Sequence, residues 1–334
     1  MTLPAPRGDA ASAPLDRLAN EALALWDLPP GAAARLINLS ENATYLVEAP
    51  GGWRSILRVH REGYHSRRAI ECELAWARAL SEAGAVETAP PIPGRDGALV
   101  QSHPVPGGAG ARRLVMFEHL PGTHPDERGD LVPAFRTLGE IAARTHLHAI
   151  SWARPEPFER LRWDERAVFG PEPIWGDWRA APNVTPAIAA VLERLEATLR
   201  RRLAAYGKGA GRFGLIHADM RLANLLIEGD SIRLIDFDDC GFGWFLYDFA
   251  AAVSFIEDNP ALPALKAAWL DGYRRLRPLP AEEEAEIDSF VMLRRMALLA
   301  WIGSHIEAPE PQALAPHFAA VTAELAEAWL TRNG

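Results

Sequence analysis

The sequence predicts an α+β protein in two parts, an N-terminal antiparallel sheet followed by a larger, mainly helical part. Three observations carry this. Between residues 34 and 60, short apolar or alternating runs are separated by turn residues, the pattern of adjacent strands. After residue 130 the apolar positions recur at helical spacing, most regularly over residues 130–150 and 185–206. A chain of 334 residues with 49% hydrophobic content exceeds one average domain and can bury a full core.

Taken in order, residues 1–14 read as disordered and residues 15–26 as a helix. Strands are expected over residues 34–39, 44–48 and 53–60, with Ser40, Glu41 and Asn42 in the first turn and Pro50, Gly51 and Gly52 in the second. Helical periodicity follows over residues 66–83, with Glu71 and Glu73 in its second turn. Two further strands, 97–101 and 112–120, close the first part, so the expected organisation is residues 15–119, a connector at 120–124, and residues 125–334. Asp130 and Thr185 stand where helix caps are needed. Later helices are expected over residues 244–256, 261–276, 281–306 and 312–332.

The chemistry concentrates between residues 213 and 239. An apolar strand, 213–216, leads into a loop carrying His217, Asp219, Arg221 and Asn224. Two apolar runs, 222–228 and 232–236, then flank Gly229 and Asp230, a dipeptide that reads as a hairpin turn. Symmetric pairing about residue 230 sets Asn224 opposite Asp236, and directly opposed residues have Cβ atoms roughly 5 Å apart. An amide oxygen and a carboxylate so placed can share a cation, and such oxygen ligands suit Mg²⁺ bound to substrate phosphates. Asp219 can accept the proton of an attacking hydroxyl, with Arg221 set against the charge developing on a transferred phosphoryl group. That combination is what phosphoryl transfer requires.

Composition narrows the alternatives. The net charge of -9 argues against general nucleic-acid binding. No apolar run reaches membrane-spanning length and the first residues lack a signal peptide's apolar core, so a cytoplasmic protein with no membrane partner is expected. Cys72 and Cys240 are too few for a disulfide framework, and Cys240 reads as a small filler residue.

The pattern H-x-D-x-x-x-x-N followed by I-D-F-D, in His217, Asp219, Asn224 and residues 235–238, resembles the aminoglycoside phosphotransferase and choline kinase family. That family is similar to protein kinases, to homoserine kinase type II and to bacterial stress-response Ser/Thr kinases. The resemblance implies a two-lobed, protein-kinase-like fold using ATP and Mg²⁺, with Asp219 as base and Asn224 and Asp236 as metal ligands. Arg221 falls where Ser/Thr protein kinases carry the loop lysine, and Asp238 replaces the glycine of the metal triplet. His217 reads as a brace of the loop and Asp248 as its hydrogen-bonding support. Asp238 and Asp239 are open between acceptor or second-metal binding and capping of the next segment.

In the first part, Ser40 and Asn42 occupy the place of the family's glycine-rich phosphate loop, which here contains no glycine. Arg58 stands where a lysine is expected to bind nucleotide phosphates, with Glu73 as its helix partner. Arginine and lysine differ in geometry, but this chain has only two lysines, Lys208 and Lys266, among 35 basic residues. The connector resembles a hinge, which assigns adenine binding to backbone groups of Glu118 and Leu120. Tryptophans 152, 163, 175, 178 and 244 read either as a cage for a cationic acceptor or as anchors of an irregular segment. Arg294 and Arg295, in an apolar helix, call for a buried carboxylate or an anionic acceptor. The expected activity is transfer of a γ-phosphoryl group to a small-molecule hydroxyl. A protein Ser/Thr acceptor and a nucleotide-binding regulatory module stand as alternatives.

Overall fold

Alternation of buried and half-exposed residues along the early strands gives one face to a core and one to solvent. The computed structural model describes residues 13–39, 42–108, 110–126, 129–229 and 231–334, and divides into two compact units. Ser40, Asp230 and residues 1–12 of the segment read as disordered therefore lie outside the described residues.

The first unit comprises residues up to 82, 87–122 and 154–159. Helix α1 (Ala13–Ala22) begins two residues before the expected start and ends in a 3₁₀ turn, Leu23–Leu25. Strands β1 (Ala33–Leu39), β2 (Ala43–Ala49) and β3 (Trp53–Val59) pair antiparallel in sequence order, as expected. The turn after Pro50 uses Gly51 and Gly52 at φ +86° and +83°, a region that glycine enters without steric penalty. Helix α2 (Arg67–Glu82) follows, then the two-residue β4 (Pro91–Ile92), β5 (Gln101–Pro104) and β6 (Ala111–Glu118). Strand β6 pairs with β3, β4 and β5. The expected strand at 97–101 begins only at Gln101, because Gly97 turns at φ +80° and the Gln101 amide donates to Asp96 and to the carbonyl of Ala98. Tyr45, Val47, Leu57, Met116, Leu18 and Trp26 centre the core between sheet and α1.

The second unit is mainly helical. Helix α3 (Val132–Ser151) starts where Asp130 accepts from the Val132 N–H, and α5 (Pro186–Tyr206) where Thr185 accepts from Ile188. Between them lie β7 (Leu161–Trp163) and α4 (Glu165–Phe169). Strands β8 (Phe213–Ile216), β9 (Leu225–Glu228), β10 (Ser231–Leu234) and β11 (Gly241–Trp244) surround the segment singled out above. Helices α6 (Tyr247–Ala252), α7 (Leu262–Arg274), α8 (Ala281–Glu284), α9 (Ile287–Ser304) and α10 (Pro309–Asn333) complete the chain.

Three expectations are corrected here. Trp244 closes β11 and the helix starts at Tyr247, because β11 pairs antiparallel with β8 and parallel with β7, eighty residues earlier. The expected helix at 281–306 breaks into α8 and α9 around Glu286, whose carboxylate binds Arg202 and Ser289. The hairpin β9–β10 pairs Glu228 with Ser231 and Leu225 with Leu234. It is therefore centred between Gly229 and residue 230 rather than on residue 230, and Asn224 faces Ile235 through the Ile235 N–H at 2.9 Å, not Asp236.

Candidate active site

The loop from His217 to Asn224 in the second unit is shaped by a strained residue and a buried acid. Ala218 has φ +66°, a conformation that costs a non-glycine residue about 1–2 kcal/mol. Asp248, at the start of α6 and fully buried, opposes that strain. Its Oδ1 accepts from the Ala218 N–H at 2.7 Å and its Oδ2 from the His217 N–H at 3.2 Å. The same Oδ2 meets His146 Nε2 at 2.9 Å. His146 is buried on α3, and burial holds its imidazole below the usual value, so it is neutral. With Nε2–H given to Asp248, its Nδ1 accepts from the Tyr273 hydroxyl at 2.9 Å, and Arg277 donates in turn to that hydroxyl oxygen.

The His217 ring is oriented equally firmly. The Asp219 N–H donates to Nδ1 at 3.3 Å, which leaves Nε2–H to donate to the carbonyl of Ile235 at 3.1 Å. Fully buried, His217 ties the loop to the strand leading into Asp236.

Asp219 itself is half-buried, its side chain 16% exposed. Its Oδ2 accepts from the Asn224 amide at 2.9 Å, which also donates to the Asp219 carbonyl at 2.8 Å. Arg221 Nε and Arg294 Nη2 each approach Oδ1 at 3.1 Å. Burial pushes the Asp219 carboxyl upward, but Arg221, Arg294 and the Asn224 hydrogen bond outweigh it and hold the group below the usual carboxylate range. Asp236 is exposed and has φ +63°, which turns it out of the line of β10.

The donor set fits a hard divalent cation. Because the nitrogen of the Asn224 amide is taken by Asp219, the group offers its oxygen, and Asp236 adds an exposed carboxylate. Two oxygen ligands completed by water and phosphate are the usual arrangement for Mg²⁺.

The surrounding aromatics are mostly structural. Trp163, Trp178 and Trp244 are buried, and their indole N–H groups donate to the carbonyl of Asp239, to Glu196 and to the carbonyl of Gly207. Trp175 is buried beneath the Arg294 guanidinium, 5.1 Å from its ring centre. Arg160 fixes the segment after Asp236 by donating to the carbonyls of Asp238 and Cys240.

In the first unit, Arg58 on β3 donates to Glu73 on α2, and both are buried. Glu71 instead faces solvent with Arg67 and Arg68. The Arg58 guanidinium lies 5.1 Å from the Phe117 ring. Asn42 is buried, with Oδ1 accepting from the Arg61 N–H at 3.0 Å. At the end of β6 the Glu118 N–H donates to the carbonyl of Pro90 at 2.9 Å, and Leu120 is half-buried beyond the strand. Sequence reasoning missed His146, and called for a carboxylate partner to Arg294 or Arg295 without naming Asp219. The available signal for His146 was its place on the apolar stripe of α3, with Leu138, Ala142 and Thr145, where a polar side chain requires a buried partner.

A family model described as the phosphotransferase enzyme family matches residues 34–279, and the chain belongs to that family. It is an enzyme of the small-molecule kinase class, transferring a phosphoryl group to a hydroxyl. Among solved structures it is similar to a microcompartment-associated aminopropanol kinase, with 46% identity, 95% of this chain and 98% of that one covered, and a TM-score of 0.88. It is 32% identical over 270 residues to an uncharacterized protein of Deinococcus radiodurans, covering 79% of this chain and 75% of that one. It is 27% identical over 236 residues to an amicoumacin kinase of Bacillus subtilis, covering 68% and 67%. The α+β architecture expected from the sequence, with an N-terminal antiparallel sheet and a helical C-terminal part, is the one these kinases share.

Proposed function

We propose that the protein transfers the γ-phosphoryl group of ATP to the hydroxyl of a short amino alcohol, with Asp219 as general base. The observation that carries this is the placement of Asp219. Its carboxylate is oriented from both sides by Asn224, Arg221 and Arg294, yet keeps 16% exposure toward an incoming substrate. The amino alcohol follows from the 46% identity to an aminopropanol kinase across nearly the whole chain. Asp239 is half-buried and Glu310 exposed, and Glu310 is close enough to act on Arg221. These carboxylates provide for the acceptor's ammonium group.

In this reading the acceptor hydroxyl gives its proton to Asp219 as its oxygen bonds to the γ-phosphorus, and the bond from that phosphorus to the bridging oxygen breaks to release ADP. Arg221 balances the charge on the transferred group. Asn224 and Asp236 would hold Mg²⁺, which when bound neutralises phosphate charge. Arg58, oriented by Glu73, would bind nucleotide phosphates, and backbone groups of Glu118 and Leu120 the adenine. Asn42 acts in the first unit as a brace for the Arg61 N–H.

The test is ADP release from Mg·ATP with 1-aminopropan-2-ol, ethanolamine, homoserine, choline and an aminoglycoside in parallel. Turnover is expected with the short amino alcohols and absent from Asp219→Ala and Asp236→Ala proteins of unchanged circular dichroism. Tight nucleotide binding without turnover on any acceptor would instead identify a regulatory module.

A further inference from the structure

Two arginines meet the same oxygen of Asp219, and they are not equivalent. Arg294 Nη2 reaches Oδ1 with hydrogen-bond geometry at 3.1 Å, while its Nε donates to Ser254 Oγ at 3.2 Å. Its side chain is 3% exposed and its guanidinium lies against Trp175 and Tyr247. Arg221 Nε approaches Oδ1 at the same 3.1 Å but without the alignment of a hydrogen bond. Its side chain is 30% exposed and lies 5.6 Å from the centre of the Phe255 ring.

A buried guanidinium is expensive to separate from its carboxylate, because the charge left behind has no water to turn to. Arg221 has the more exposed side chain of the two, 30% against 3%, and makes no aligned hydrogen bond to Asp219, so its contact is the less costly one to exchange. The two cations also repel one another across the shared oxygen. Of the two contacts, the Arg221 contact is therefore the one that yields.

We infer that Arg294 is the positioning residue that holds Asp219 throughout turnover, whereas Arg221 occupies Oδ1 only at rest. It leaves for the nucleotide's phosphates and vacates the place that the acceptor hydroxyl takes. Arg295, the next residue on α9, supports this by pairing with buried Glu257. With Arg294 on Ser254, the adjacent arginines thus pin both ends of the segment that presents Phe255 to Arg221. This inference rests on Asp219 being the base.

The experiment compares Arg294→Met, Arg294→Lys, Arg221→Met and Asp219→Asn, using Mg·ATP with 1-aminopropan-2-ol and with water alone as acceptor. Loss of an oriented general base lowers turnover by roughly 10²-fold or more. Arg294→Met is expected to lose that much in kcat, with the KM for ATP within about threefold, and Arg294→Lys to recover about tenfold of it. In the absence of nucleotide, Arg221→Met is expected to bind 1-aminopropan-2-ol several-fold more tightly than wild type, and Arg294→Met is not. Melting temperatures and circular dichroism identify any variant that fails to fold, and the Arg221→Met binding result stands independently of Arg294 variants. An Arg294→Met protein within about threefold of wild-type kcat would overturn the positioning role. Unchanged or weaker acceptor binding by Arg221→Met would overturn the exchange. Full turnover by Asp219→Asn, or no turnover by wild type on either acceptor, would instead refute the underlying reading.

Discussion

Asp248→Asn isolates the device that shapes the loop from His217 to Asn224. The carboxylate accepts three hydrogen bonds in a fully buried site, from Ala218 N, His217 N and His146 Nε2. Asparagine preserves the shape but replaces one accepting oxygen by a donor. If the amide nitrogen takes the Oδ1 position it faces the Ala218 N–H; in the Oδ2 position it faces two donors. At least one buried N–H then lacks an acceptor, at about 1–3 kcal/mol, and the remaining bonds lose the charge assistance that is worth roughly 1 kcal/mol each. The expected loss is about 3–5 kcal/mol, which is a large share of a typical stability of about 5–15 kcal/mol. Part of it should return on adding Ala218→Gly, because glycine adopts the φ of +66° without strain. Urea denaturation followed by tryptophan fluorescence, together with kcat, measures both effects. An Asp248→Asn protein within about 1 kcal/mol of wild type, with unchanged kcat, would show that the loop does not depend on this carboxylate.

Two further predictions address the frame around the loop. In Gly139→Ala the new methyl would lie 2.0 Å from the carbonyl oxygen of Trp269, where α3 and α7 touch through Gly139 and Gly272. The helices must separate, at a cost on the order of 3 kcal/mol or more, and a melting temperature within a degree of wild type would refute this close approach. For His146, burial lowers the folded-state pKa, so below pH about 6.5 the unfolded state takes up a proton that the folded state refuses. The stability contributed by neutral His146 is complete above that pH. It falls as pH drops toward the folded value, by up to about 1.4 kcal/mol per unit. His146→Gln should remove this component, and a wild-type-minus-variant stability difference that stays constant between pH 5 and 7 would contradict it.

Local pattern made much of the architecture legible. The hairpins of β1, β2 and β3, the strand β8 and the long helices α3 and α5 follow from nearest-neighbour periodicity, turn residues and caps. The loop residues His217, Asp219, Arg221 and Asn224 were legible for the same reason, since they lie within eight residues. The hairpin register was not, because a one-residue difference in turn placement leaves both strands equally apolar. Only the observed pairing of Glu228 with Ser231 resolves it. Trp244, the last residue of β11, was read as the start of a helix because the pairing that makes it strand, with β8 beside β7, lies far away in sequence.

By itself, the sequence determined which groups are available for chemistry: a carboxylate, an amide, a second carboxylate and an arginine at spacings that suit phosphoryl transfer. It also placed Arg58 on a strand and Glu73 within a helix able to meet it. Tertiary structure alone decided how those groups are held. Arg294 reaches Asp219 across 75 positions, and His146 reaches Asp248 across 102. The reason is physical: spacing constrains groups carried on one loop or hairpin. The partner of a buried charge is chosen by which distant helix packs against it, and that choice belongs to the folded core.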